Sequence, residues 1–238
     1  MKRIILFLTL LFASFGSTFA SEQTEKFDAG KLIMEHLGDS YYWHIFTYND
    51  LDVSIPLPII LINEGKIDIF MSSKFHHGHS TYKGYKIATE ADGEGLEGSI
   101  ICVDSNGVYT GKKPLDFSIT KNVFAIFIVT ALIIFLVLRG AKMAKKREGQ
   151  SPKGLLTVVE YFISFIKDDI ALPSIGEHKY KKYLPYLLTA FLFIFFSNLL
   201  GLFPFFPGGA NITGNIAVTL CLAVFTFVIT NVSGNKDY

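Results

Sequence analysis

The chain has 238 residues, of which 50% are hydrophobic and 18% are charged, and its formal net charge is +1. A charge so close to zero argues against a nucleic-acid-binding protein, which carries an excess of basic residues. The two cysteines, Cys102 and Cys221, are predicted to lie in different environments, and their spacing fits neither a disulfide framework nor a metal site. Cysteine chemistry is therefore not predicted to carry the function.

Residues 1–20 have the pattern of a signal peptide. Lys2 and Arg3 form the charged start, residues 4–13 are apolar, and Thr18-Phe19-Ala20 matches a small-x-small cleavage site. The apolar run is shorter than the ~20 residues of a membrane span, and the alternative interpretation is an uncleaved anchor. Either interpretation places the following residues outside the cytoplasm.

Residues 21–117 are predicted to form a small, mostly β exported domain. Apolar and polar residues alternate at 51–55, which favours a half-buried strand. Asn63-Glu64-Gly65-Lys66 separates two apolar runs and is typical of a hairpin turn, and Ser105-Asn106-Gly107 is a second turn signal. We expect a short helix near Lys31–Leu37, before the strands.

Three histidines, His76, His77 and His79, form the most conspicuous polar cluster of this domain. Imidazoles this close together can bind Zn²⁺ or Cu²⁺, but short motifs match by chance and no nearby cysteine completes a site. We favour a polar loop with incidental metal affinity. No metal and no other cofactor is predicted.

Three membrane-spanning helices are predicted after residue 117. The segments are a span at 118–138, a cytoplasmic loop at 139–183, a span at 184–203, an outer turn at 204–211, a span at 212–230 and a cytoplasmic end at 231–238. Basic residues flank the loop, with Arg139 and Lys142 at its start and Lys181 and Lys182 near its end. Because short loops rich in Lys and Arg stay in the cytoplasm, this pattern agrees with an exported N-terminal domain. The predicted location is the cell inner membrane, with that domain in the periplasm.

A candidate interfacial helix lies within this loop, at 152–171. Ser151 suits the N-cap and Pro152 the first helical position, and apolar residues recur behind them at helical spacing. Glu160 belongs to the polar face. We expect the helix to lie along the inner membrane surface, because the surrounding chain is too short to form a soluble domain around it.

The predicted fold class is therefore an all-α polytopic membrane protein with three spans and a small, mostly β exported N-terminal domain. Between Tyr183 and Asn235 no Asp, Glu, Lys, Arg or His occurs, yet small polar residues are frequent. The candidates are Ser197 and Asn198 in the second span and Thr213, Asn215 and Thr219 at the start of the third. Such side chains either hydrogen-bond between helices or line an aqueous path, and both interpretations stay open.

Two strings in the last spans carry a resemblance to a known family. Ser197-Asn198-Leu199-Leu200-Gly201-Leu202-Phe203-Pro204 closes the second span, and Thr213-Gly214-Asn215-Ile216-Ala217-Val218-Thr219-Leu220 opens the third. With Pro152-Lys153-Gly154 before the amphipathic helix, they make residues 118–230 resemble subunit a of the rotary F-type ATP synthase. The long exported segment resembles the extended form of Bacteroidetes-type members.

The resemblance implies a non-catalytic stator subunit of the membrane Fo sector. Members of this family form half-channels that deliver protons to the rotating c-ring, and their partners are the c-ring, the b subunits and membrane lipid, with no nucleic acid. By the same resemblance, Asn215 occupies a polar position of the outer half-channel and Thr213 and Thr219 flank it. Ser197 and Asn198 are further path candidates, and Glu160 marks the interfacial helix.

The chain departs from the family pattern at one point. Its arginines are Arg3, Arg139 and Arg147, whereas the family places an essential Arg on a later, tilted hairpin. We therefore expect the sequence to be a fragment, truncated at its C-terminus. Two alternatives stay open: a membrane-anchored assembly or interaction protein that works through its exported β domain, and a component of a small permease.

Overall fold

The computed structural model describes residues 38–48, 51–203 and 206–234. A β-rich region comes first, and three helices after it are long and apolar enough to cross a membrane. This arrangement confirms the predicted fold class. The predicted signal peptide and the short helix near Lys31–Leu37 lie outside the described residues.

Short antiparallel strands build the β-rich region. They are β1 (Tyr42–Tyr48), β2 (Leu51–Pro56), β3 (Pro58–Asn63), β4 (Lys66–Met71), β5 (Tyr85–Ile87), β6 (Ile100–Cys102) and β7 (Leu115–Asp116). β1 pairs with β2 and β5 with β6, while β4, β3 and β7 form a sheet in that order. The turn between β3 and β4 has positive φ at both Glu64 and Gly65, as a type I′ hairpin turn requires.

The core of this region lies on one face of the β4–β3–β7 sheet. Ile59 and Leu61 of β3 are fully buried, and Phe75 packs in the same cluster. The buried hydroxyl of Ser72 accepts a hydrogen bond from the amide of Leu57 at 3.0 Å. Because buried polar groups are costly when unpaired, this bond stabilises the connection between β2 and β3.

The membrane part is helical. Its elements are α1 (Lys121–Lys146), α2 (Leu155–Ser164), a π-helix (Phe165–Ala171), α3 (Leu172–Ile175), α4 (Tyr180–Gly201) and α5 (Ile216–Ser233); the β-rich region adds 3₁₀ helices at Ser72–Gly78 and Glu90–Asp92. The predicted spans overlap α1, α4 and α5. Helix α1 continues past residue 138 through the basic cluster, because Lys and Arg are good helix formers.

Helices α1, α2 and α4 pack against one another. Where α1 meets α2, Gly140 is buried, and a Cβ atom at this position would lie 2.9 Å from Cγ1 of Val159. Glycine therefore lets the two helices approach closely. Aromatic rings of α2 and α4 contact one another, namely Phe162, Phe191, Phe195 and Phe196. Helix α5, by contrast, has no buried residue.

Candidate functional site

The polar residues predicted from the last two spans lie at one end of the α4–α5 hairpin. Ser197 and Asn198 belong to the last turns of α4, Thr213 and Asn215 lie in the connection to α5, and Thr219 belongs to the first turn of α5. The connection, residues 206–215, is called the α4–α5 turn below. The structure thus places all these candidates at the same end of the two helices.

A side-chain hydrogen bond joins α4 to this turn. The Thr213 hydroxyl donates to Oδ1 of Asn198 at 2.5 Å. Asn198 is exposed and Thr213 is half-buried. The pair therefore joins the last turns of α4 to the residues that lead into α5.

Asn215 and Thr219 bond to the backbone around them. Oδ1 of Asn215 accepts the amide N–H of Ala217 at 2.9 Å and caps α5. The Thr219 hydroxyl donates to the carbonyl of Ile216 at 3.2 Å. An Asn before an apolar helical run is an N-cap signature, so the cap was available from the sequence.

Ser197 differs from the other candidates. Its side chain is 1% exposed, and its hydroxyl has no hydrogen-bond partner. Oδ1 of Asn122 in the first turn of α1 is likewise buried without a partner. Buried polar atoms in proteins are usually hydrogen-bonded to protein or to ordered water. Among the residues that the structure describes, these two oxygens are therefore where a bound water is most expected.

The start of α1 is fixed by residues that the sequence analysis did not single out. The carboxylate of Asp39 accepts hydrogen bonds from the backbone N–H of Asn122 at 3.0 Å and from the Thr120 hydroxyl at 2.7 Å. The Lys121 amide donates to the carbonyl of Ser40 at 2.8 Å. Thr120 lies three residues before the apolar run that begins at Val123 and is a residue type that favours the N-cap, but nothing local in the sequence indicates that Asp39 reaches it.

A second contact between the β-rich region and the helices was also missed. The indole N–H of Trp43 in β1 donates to the carbonyl of Gly208 in the α4–α5 turn at 3.2 Å. Its ring meets Phe124 of α1 and Phe206 of the turn edge-on, with centroid distances of 5.6 and 5.4 Å. Trp43 is 2% exposed, so this contact is buried.

Glu160 lies in α2 and is half-buried. It borders an apolar cavity between α1, α2 and α4, together with Gly140 and Leu192. The sequence analysis placed it on the polar face of an amphipathic helix. In the structure Glu160 lies at the border of that face, because the neighbouring Thr157, Tyr161 and Ser164 are exposed while Leu156 and Val159 are covered.

The histidine cluster has no metal-binding geometry. His76 and His77 adopt left-handed backbone conformations, and the His77 ring stacks on Tyr42 with a centroid distance of 4.4 Å. In the part of the chain that the structure describes, no three His, Cys, Asp or Glu side chains gather into a possible metal site.

The three apolar helices and the polar residues between them define a multi-pass membrane protein. Residues 123–238 match the family model described as the ATP synthase A chain, and residues 32–117 match one described as a domain of unknown function (DUF8433). Residues 123–238 of this chain are thus similar to the ATP synthase A chain family. No solved structure gives a significant match.

Curated relatives show the same similarity. ATP synthase subunit a 2 of Chlorobaculum tepidum is 50% identical over 122 residues, covering 51% of this chain and 34% of that protein. ATP synthase subunit a of Pelodictyon phaeoclathratiforme is 47% identical over 52% of this chain and 36% of its own length. That of Chlorobium phaeobacteroides strain BS1 is 43% identical over 61% of this chain and 46% of its own length. The chain thus spans less than half the length of these relatives.

Proposed function

We propose that this chain acts as the stator subunit, subunit a, of the Fo sector of an ATP synthase and helps to form the half-channels that carry protons to the c-ring. The proposal draws on the family of residues 123–238 and on relatives named ATP synthase subunit a. The subunit is not catalytic itself, and its proposed partners are the c-ring, the b subunits and lipid. The match covers only 34% of the Chlorobaculum tepidum protein, so residues 1–238 correspond to part of that subunit. We therefore assign proton transfer to the assembled complex and not to these residues alone.

The proposed topology follows the charge pattern of the sequence. Arg139, Lys142, Lys145 and Lys146 lie on the last turns of α1. Since clusters of this kind stay on the cytoplasmic side, the opposite end of α1 and the β-rich region lie outside. The α4–α5 turn then also faces the outside, in the inner membrane, and the loop that holds α2 faces the cytoplasm.

The observation that carries the proposed site is the unpartnered hydroxyl of Ser197, the residue before Asn198, whose side chain accepts the Thr213 hydroxyl. A proton crosses an apolar region only where water or polar groups can pass it on. The buried hydroxyl of Ser197 has no hydrogen-bond partner in the protein. The side chains of Asn215 and Thr219, by contrast, hydrogen-bond to the backbone at the start of α5. We therefore place Ser197, Asn198 and Thr213 on the outer half-channel, with Asn215 and Thr219 flanking it.

Replacing Ser197 by Ala tests this site, with the substitution made in the full-length subunit of an assembled ATP synthase. The variant removes an unpartnered hydroxyl, so we expect normal folding and assembly. Proton flux through Fo, measured per assembled complex by pH-dye quenching in vesicles, is expected to fall about fivefold, as for loss of one hydrogen-bonding group of ordinary strength.

The matched control is Thr189→Ala in the same helix. The Thr189 hydroxyl already donates to the carbonyl of Pro185 at 2.8 Å, so its removal takes away no group from the proposed path. We expect wild-type flux from this control. Equal flux in Ser197→Ala and wild-type complexes would remove Ser197 from the path.

A further inference from the structure

The β-rich region contacts the proposed proton path through a buried aromatic side chain. Trp43 lies between the first turn of α1 and the α4–α5 turn, in edge-on contact with Phe124 and Phe206. The same apolar cluster includes Ala210 and Ile212 of the turn, both fully buried. A strand of the N-terminal region thus packs directly on the residues that lead into Thr213.

The turn at this contact has little freedom to adjust. A Cβ atom at Gly208 would lie 2.2 Å from the carbonyl oxygen of Phe203 and 2.8 Å from that of Leu200, so the turn lies tightly against the end of α4. The carbonyl of Gly208 is the group that accepts the indole N–H of Trp43. The hydrogen bond therefore holds the turn at a residue that is already crowded against the end of α4.

The path residues lie close to this point along the chain. Thr213, five residues after Gly208, donates to Asn198 of α4. Because Ala210 and Ile212 are buried in the Trp43 cluster, a shift of the turn moves Thr213 with it. The hydrogen bond between Thr213 and Asn198 is thus sensitive to where Trp43 holds the turn.

We propose that Trp43 is a positioning residue for the outer end of the proton path: its indole fixes the α4–α5 turn against α1 and so sets the positions of Thr213 and Asn198. This inference rests on the proposed function. It means that the β-rich region helps to position the half-channel residues through Trp43, although this side chain does not itself transfer protons. The N–H fixes the carbonyl of Gly208, and the ring fills the space between α1 and the turn.

The first test measures proton flux in the full-length subunit within the assembled complex. Trp43→Phe keeps an aromatic ring and removes the N–H, and we expect flux per assembled complex to fall about fivefold. Trp43→Ala also leaves a cavity, and we expect a fall of tenfold or more, about the scale of a large buried truncation. Phe75→Leu, in the core of the β-rich region and outside the Trp43 cluster, is the control and is expected to conduct as the wild type does.

The second test follows the turn itself and does not depend on proton transport. Ala210→Cys is placed in a Cys221→Ser background, while Cys102 stays because it is buried. The introduced thiol is expected to resist a membrane-impermeant maleimide when Trp43 is present. It is expected to react at least about tenfold faster with Trp43→Ala, since that change opens the cluster around it.

The outcomes separate this inference from the proposed function. Wild-type flux and unchanged protection of the introduced thiol in both Trp43 variants would overturn the positioning role. If Trp43→Ala fails to assemble, Trp43→Phe decides, because it preserves most of the packing. A wild-type complex that conducts no protons would overturn the proposed function, whereas exposure of the introduced thiol on loss of Trp43 would still support the contact between Trp43 and the turn.

Discussion

The β-rich region and the membrane helices bury their side chains in different ways. In the β-rich region, Ile59, Leu61 and Phe75 have no exposed surface. In α5, Ile216 is 82% exposed and Phe227 is 68% exposed, and no residue is buried. The core side chains of β3 are thus enclosed within the β-rich region, whereas the side chains of α5 face its surroundings.

The difference follows from the solvent that each region meets. Water drives apolar side chains into a core, whereas lipid is as apolar as the side chains and exerts no such force. Contacts among the helices therefore depend on close packing and on hydrogen bonds, as between Gly140 and Val159 or between the hydroxyls of Tyr186 and Thr226, which lie 2.8 Å apart. A substitution that is severe in one region is expected to be mild in the other.

The largest expected effect comes from the same substitution made in both regions. Leu61→Ala removes a fully buried side chain of β3 and is expected to lower the opening free energy of the β3 and β4 amides by about 2–5 kcal/mol. Leu220→Ala shortens a side chain of α5 that is 62% exposed. It is expected to change the opening free energy of the α5 amides by less than about 1 kcal/mol. Native-state hydrogen exchange of the chain in lipid nanodiscs measures both. Equal losses in the two regions would contradict this difference between them.

A smaller effect is expected where two helices meet. Gly140→Ala places a methyl group against Val159, whose branched side chain cannot turn away, so α2 must shift. We expect a loss of about 1–3 kcal/mol in the opening free energy of α2, also by hydrogen exchange. Adding Val159→Ala is expected to restore part of this loss. If the double variant is no more stable than Gly140→Ala alone, crowding by Val159 is not the cause.

The smallest expected effect is electrostatic and belongs to the β-rich region. The hydrogen bond from Lys83, at 2.6 Å, lowers the pKa of Asp68. The pKa of Asp68 in the folded state therefore lies below the unfolded value of about 3.9. The stabilisation of the folded state by the Asp68–Lys83 pair is present above about pH 4 and is lost as the pH falls through the folded pKa.

Asp68→Asn tests this dependence. Between pH 6 and pH 3 (values chosen about the Asp pKa of about 3.9), the thermal unfolding midpoint of the β-rich region is expected to fall less in the variant than in the wild type. Asp104→Asn provides a control, because Asp104 accepts hydrogen bonds from the Asn106 and Val108 amides and has no Lys partner among the described ion pairs. Identical pH profiles for Asp68→Asn and the wild type would contradict the prediction.

Local sequence signals predicted the elements better than their contacts. Apolar run length indicated the three spans, and Asn63-Glu64-Gly65-Lys66 indicated the turn between β3 and β4, because both depend on neighbouring residues. Trp43 and Gly208 are 165 residues apart, and Asp39 and Asn122 are 83 apart, so no local pattern connects them. The contacts that join the two regions were therefore invisible to the sequence analysis.

The candidate site was predictable in composition and not in detail. The sequence identified Ser197, Asn198, Thr213, Asn215 and Thr219 as unusual in an uncharged stretch. It could not rank them, because their hydrogen-bond partners are set by how α4, α5 and the turn fold together. Only the geometry distinguishes Ser197, whose hydroxyl is unused, from Asn215, whose side chain caps a helix.

Trp43 is the only tryptophan in the chain. Indole emission from residues 1–238 therefore comes from one place, the buried junction between β1 and the α4–α5 turn. A buried indole emits at shorter wavelengths than one in water, so a red shift during unfolding would mark the moment when that junction opens. The natural sequence thus contains its own optical reporter of the contact between the N-terminal region and the membrane part, with no label added.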